Sequence, residues 1–141
     1  MTEGGRTIKI DRFEDLEVWK DARRLANLVY KLTGESRIAK EFGLRDQMRR
    51  AAVSIMSNIA EGFESRTQAM FIEFLGRAKG SAGELRCQAY LAFDQMYLLQ
   101  AGFDEVYQLV ESCSKQLAGL MKYLESKPNT PRIKRSHSLP R

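Results

Sequence analysis

Catalysis needs a nucleophile, a proton carrier or a metal, and the side chains that supply them are scarce in this sequence. The single histidine, His137, stands among the last five residues, with neither cysteine near it. Ser-His, Cys-His and histidine–metal arrangements are therefore excluded together. A carboxylate–metal site inside a helical bundle would need Glu-x-x-His pairs, and none occurs. Lys79-Gly80-Ser81 is preceded by neither a glycine loop nor a strand, so it makes no phosphate cradle. Cys87 has nothing visible in the sequence to activate it as a nucleophile. The expectation is a protein that is not an enzyme and carries no metal or cofactor.

Side chains suited to binding are easier to find. Arg45, Arg49 and Arg50 cluster at the start of a helical pattern, and Lys79, Arg86, Tyr90 and Tyr97 follow at spacings of seven, four and seven. Basic groups interleaved with aromatics can hold phosphates while bases stack on the rings. The same strip also reads as a solvated helix flank whose tyrosines cover the core edge. No sequence-reading motif such as helix-turn-helix is present. A third group closes the chain: Lys127, Arg132, Lys134, Arg135 and Arg141 are five bases, with no acid between Lys127 and Arg141. They carry the whole formal charge of +5, so the body is neutral. Such a tail either aids solubility or acts as an arm that finds phosphate.

The elements that must position these groups are helical. All three prolines lie at or after Pro128, which leaves the preceding chain free of the strongest helix breaker. A first helix is expected from Asp11–Glu14, where D-x-x-E can form a capping box, to Thr33-Gly34. Leu16, Trp19, Ala22, Ala26, Val29 and Leu32 make its apolar stripe. Residues 34–43 form a polar connection with a small apolar cluster. The second helix runs from about Leu44 to Gly62 with two stripes, Leu44, Met48, Ala51, Ile55, Ile59 and Val53, Met56, Ala60, Phe63. Its breadth calls for neighbours on two sides, either within the bundle or across a subunit interface. The third helix is expected from about Thr67 to Leu98, started by a Ser65/Gln68 capping box. Gly76, Gly80 and Gly83 share one of its faces with Cys87. Each glycine costs about 1 kcal/mol relative to alanine, so that face calls for close helix contact within the bundle or between subunits. Gln100-Ala101-Gly102 is expected to turn the chain into a fourth helix, from about Phe103 to Ser126.

No strand pattern is visible. The fold class is all-α, an antiparallel up-down-up-down four-helix bundle over 13–126, with an N-terminal arm over 1–12 and a flexible, disordered basic tail over 127–141. At 141 residues the chain has length for one domain. Cys87 and Cys113 read as reduced, buried, small apolar residues, no secretory segment precedes them, and no run of about 20 apolar residues could span a bilayer. A cytoplasmic location without membrane contact is expected.

Four segments then carry a likeness: Phe13–Trp19, Phe42–Ser54, Ser57-Asn58-Ile59-Ala60-Glu61-Gly62-Phe63 and Ala78–Leu85. In order and spacing the chain resembles the small bacterial four-helix-bundle proteins encoded within intervening sequences of 23S ribosomal RNA genes, over roughly residues 13–125. Met56 departs from a proline common in that family. Trp19, Asn58, Glu61, Gly62, Gly80 and Glu84 match its motif positions, with structural roles implied. The resemblance implies a homo-oligomer, commonly a pentameric ring. More distantly, the chain is similar to the accessory variability proteins of diversity-generating retroelements, which associate with a reverse transcriptase and nucleic acid. The functional expectation is an oligomeric scaffold that binds RNA or DNA through phosphate contacts of Arg45, Arg49, Arg50, Lys79, Arg86, Arg132, Lys134 and Arg135. The alternative is a protein–protein scaffold with no nucleic-acid binding.

Overall fold

The computed structural model describes residues 8–128 and 137–139. Four helices follow one another as α1 (Glu17–Thr33), α2 (Phe42–Phe63), α3 (Gln68–Asp94) and α4 (Gln100–Glu125). Each packs on its sequence neighbours, and α1 closes the bundle against α4. Contacts at the helix ends give the directions. Gln116, late in α4, donates to Asp21, early in α1, at 2.7 Å. Gly102, early in α4, lies beside Leu32, late in α1. Gln68, opening α3, donates to the carbonyl of Leu124, closing α4, at 2.9 Å. Gly62, at the end of α2, meets Phe71 and Phe74 at the start of α3. Neighbouring helices therefore run in opposite directions, as short connections dictate.

The core follows the apolar stripes. Leu25, Ile55, Ile59, Phe71, Leu75, Leu85 and Leu117 are completely buried, with Ala78, Ala82, Ala89 and Ala92 forming the small inner surface of α3. The two stripes of α2 are used largely inside the molecule: Phe63 is buried and Met56 packs on the core, while Val53 stays exposed. Among the described residues Thr33 is the buried polar side chain. Its Oγ1 donates to the Val29 carbonyl at 2.6 Å and accepts from Arg49 Nε at 2.9 Å, which meets the demand of a buried hydroxyl.

Several expected details are corrected. The Asp11/Glu14 capping box does not form. Phe13–Asp15 is a 3₁₀ turn, Asp11 donates its N–H to Asp15, and α1 starts after Leu16 without a side-chain cap. Nor does Ser65 cap α3. Thr67 does so, accepting from the Met70 N–H at 3.1 Å, while Ser65 Oγ donates back to the Gly62 carbonyl. The polar connection after α1 carries a 3₁₀ turn, Ser36–Lys40, whose Ile38 is the buried member of the expected cluster.

The third helix stops at Asp94, four residues early. Tyr97 N–H donates to Ala92 O and Met96 N–H to Phe93 O, the paired bonds of a Schellman termination. The residue that turns left-handed is Met96, at φ 64°, where glycine is usual, so no glycine announced the stop. The expected Gln100-Ala101-Gly102 turn is instead the first turn of α4.

A further correction concerns the chain ends. β1 (Ile8–Ile10) and β2 (His137–Leu139) pair antiparallel, with Ile10 opposite His137. Parts of the expected arm and disordered tail are thus joined. Three-residue strands are too short to show alternation in sequence. Residues 1–7, 129–136 and 140–141 lie outside the described residues.

Candidate functional site

Two of the three arginines at the start of α2 are engaged by contacts within the protomer. Arg45 lies over the Phe42 ring at 4.7 Å, pairs with Asp46 at 2.9 Å and donates to the Ala39 carbonyl at 3.0 Å. Arg49 lies over the Tyr30 ring at 4.6 Å and donates to Thr33. Both close the α1–α2 connection onto the bundle, and a guanidinium held by ring and hydrogen bond has less left to offer a phosphate. Arg50, by contrast, is exposed and belongs to no ion pair among the described residues.

Lys79, Arg86 and Tyr90 do share a strip of α3, on the side facing α4. Tyr97 does not, because α3 has ended before it; it lies in the turn beneath Arg37, with the guanidinium 5.2 Å from its ring. Tyr90 packs at 5.1 Å from Phe103 and 6.0 Å from Tyr107, covering the core edge. Glu111 stands opposite, its carboxyl held below the ordinary value by Lys115 first, then by the Tyr107 hydroxyl and the more distant Arg86. Tyr107 is raised by its hydrogen bonds and charge contacts with Tyr90 and Glu111. The strip is therefore part-neutralised and part-occupied. It also lies on a different seam from Arg50, so the expected cations do not converge. Arg132, Lys134 and Arg135 fall outside the described residues.

What the structure does bring together are the motif segments of α2 and α3. Ser54 and Ser81 share a hydrogen bond of 2.9 Å across the seam. Asn58 Nδ2 donates to the Ser54 carbonyl at 2.8 Å and to its hydroxyl at 2.9 Å. One turn along from Glu84 and two from Ser81, Gln88 carries a buried Oε1 with no donor among the described residues. Gly62 is explained by contact: a Cβ there would fall 2.8 Å from Phe74 Cβ and 2.9 Å from Phe71 Cδ1. Trp19 packs edge-on against Phe13 at 5.1 Å. Glu61 and Glu84 are exposed.

The glycine face of α3 gives the opposite result from Gly62. Among the described residues nothing lies within 4 Å of a Cβ built on Gly80 or Gly83, and Gly76 meets only the Met121 methyl at 3.5 Å. Contact within the bundle therefore does not account for Gly80 and Gly83. They lie on the side of α3 turned away from the buried Phe71, Ala78, Ala82 and Leu85, and so does Cys87, which is exposed there and not buried as expected. Lys79, Arg86 and Tyr90 form the flank towards α4, Glu73 and Glu84 the flank towards α2. Cys113 is different: burial first, then Asp21, pushes its thiol up to about 12, which leaves it protonated and unreactive.

Sequence reasoning missed the far end of the bundle, where α1 and α3 finish. Phe42, Met96 and Leu99 are 62%, 75% and 81% exposed there. Periodicity pointed the wrong way, since the over-extended helix carried Met96 at a core spacing and stopped just before Leu99. Among the described residues no cluster of His, Cys, Asp or Glu could hold a metal ion, and no helix is long and apolar enough to cross a membrane.

Comparison with known proteins adds the following. The family model described as 23S rRNA-intervening sequence protein matches residues 14–119. A solved structure of a protein of unknown function from the S23 ribosomal protein family of Bacteroides thetaiotaomicron is similar to this chain, with a TM-score of 0.69 and 24% identity, covering 74% of this chain and 95% of that one. This likeness shows the fold. The search of curated proteins found no match.

Proposed function

As the chain belongs to the 23S rRNA-intervening sequence protein family, we propose that it is a non-catalytic homo-oligomeric scaffold, assembled through the outward face of α3. One observation carries the reading: Gly80 and Gly83 have open space where glycine would be kept for close approach. Two mid-helix glycines cost about 2 kcal/mol relative to alanine, and no contact inside the protomer offsets it. A facing backbone from another copy would. The pentameric ring implied by the family resemblance is one assembly that supplies such a neighbour.

A second reading adds nucleic acid as cargo, with a reverse transcriptase or ribosomal RNA as associated partners. It is favoured by the five unopposed bases of the tail. Repeated on every subunit they become multivalent, and exposed Arg50, Lys79 and Arg86 would extend the phosphate contacts. The tied Arg45 and Arg49 argue against a preformed basic site on the bundle, so protein scaffolding without nucleic acid is the better-supported core of the proposal.

The experiment is mass-resolved size-exclusion of the chain and of Gly80→Leu, with titration of a labelled structured RNA and a matched DNA duplex at two salt concentrations. The native chain should run as a defined oligomer, and Gly80→Leu as a smaller species with unchanged helicity. A monomeric native chain would sink the scaffold. An oligomer that binds neither nucleic acid at low salt would remove the cargo reading alone.

A further inference from the structure

The end of the bundle where α3 turns into α4 carries its own surface. Met96 and Leu99, the two most exposed of the large apolar side chains, border a recess of about 350 Å3 that Leu32, Leu98 and Gly102 also line. Glu35, Arg37 and Glu105 stand at the same recess, with Arg37 held over the Tyr97 ring. A lone exposed leucine needs no explanation. Two large apolar side chains at the mouth of a recess do.

The backbone points the same way. Met96 occupies the left-handed position of a helix termination at φ 64°, which glycine takes without strain and methionine does not. Its side chain gains little from its own protomer, since three quarters of it faces water. Strain kept at an exposed position is one mark of a functional surface.

We infer that two copies of this chain meet end to end, Met96 and Leu99 of each entering the recess of the other. Two properties select a second copy as the occupant. Projection and recess lie side by side, so one two-fold rotation fills both recesses at once, as an isologous contact requires. The recess also carries both signs of charge, Glu35 and Glu105 beside Arg37, so a second copy of the same surface has an opposite charge to offer each of them. This contact uses the bundle end and leaves the outward face of α3 free. It does not rest on the lateral assembly proposed above, and with such a ring it would give two rings stacked face to face.

The test is the mass of the full chain by light scattering and native mass spectrometry, beside Leu99→Arg, Glu105→Arg and the swap Glu105→Arg with Arg37→Glu. Leu99 is exposed, so Leu99→Arg should keep the far-ultraviolet helical signal while halving the mass of the assembly. Glu105→Arg alone should weaken the contact by about tenfold, and the swap should restore much of it. A native mass corresponding to a single undoubled ring would overturn the end contact and leave the lateral scaffold standing. An unchanged mass in Leu99→Arg, or a swap no better than the single change, would overturn it too. A monomeric native chain would overturn both.

Discussion

At the scale of single residues, two side chains carry consequences that can be measured directly. Met96 sits at φ 64° without the freedom of glycine. The left-handed conformation costs an ordinary residue about 1–2 kcal/mol, part of which glycine returns through greater unfolded-state entropy. Met96→Gly should therefore stabilise the monomer by about 1 kcal/mol in urea unfolding at low protein concentration, while weakening end-to-end association. A variant that becomes more stable yet assembles less well separates the two roles. Cys113 has its folded-state pKa raised to about 12 from 9.0 by burial. A raised acid favours folding while the unfolded thiol is still protonated, and that contribution falls as pH climbs above 9. The slope attributable to this group is at most about 1.4 kcal/mol per pH unit. Native protein should lose stability between about pH 9 and 11 more steeply than Cys113→Ala, which lacks the proton and adds no bulk to the core. Equal slopes would mean the thiol contributes nothing.

The elements sort the glycines by what surrounds them. Gly62→Ala would drive a methyl into Phe71 and Phe74 at the α2–α3 crossing. It should cost about 1–3 kcal/mol by overpacking, read as a lower urea midpoint. Gly80→Ala meets open space and should instead raise monomer stability by about 1 kcal/mol. Opposite signs from one substitution type would place the intramolecular contact at Gly62 and the external one at Gly80. Sequence alone could not separate them, since both are glycines within motif segments. The helices themselves were legible because burial of Leu, Ile and Ala stripes repeats at three and four. Their ends were legible only where chemistry announces them. Gly34 closes α1 as expected, whereas Met96 ends α3 through hydrogen bonds that any residue type can make. That one misplaced stop put Tyr97 on a binding strip it does not join. The engagement of Arg49 was hidden for a related reason: its partners Tyr30 and Thr33 lie on α1 and are set by how α1 meets α2, which no local pattern shows, whereas Arg45 meets Phe42 and Asp46 of its own helix at spacings the sequence does display.

For the molecule as a whole, charge decides between scaffold and nucleic-acid carrier. The body is neutral and the excess lies in the tail, so any phosphate binding by one copy should be weak and should multiply only on assembly. Deleting the tail would also remove β2, which pairs with β1, and would confuse charge with structure. The cleaner variant is Arg132→Gln, Lys134→Gln and Arg135→Gln together, which lie before the strand and leave Ile10 opposite His137. If the tail gathers nucleic acid, neutralising it should flatten the dependence of log K on log salt by about 0.7–0.9 for each phosphate the tail no longer neutralises, without altering the oligomer mass. Gly80→Leu should weaken binding by a different route, leaving each tail its charges but dispersing them, so that affinity falls while each protomer's own salt slope persists. Both effects together would mark a carrier whose avidity comes from assembly. An RNA affinity unmoved by the three tail substitutions would instead place any binding on exposed Arg50, Lys79 and Arg86, the cations of the bundle itself.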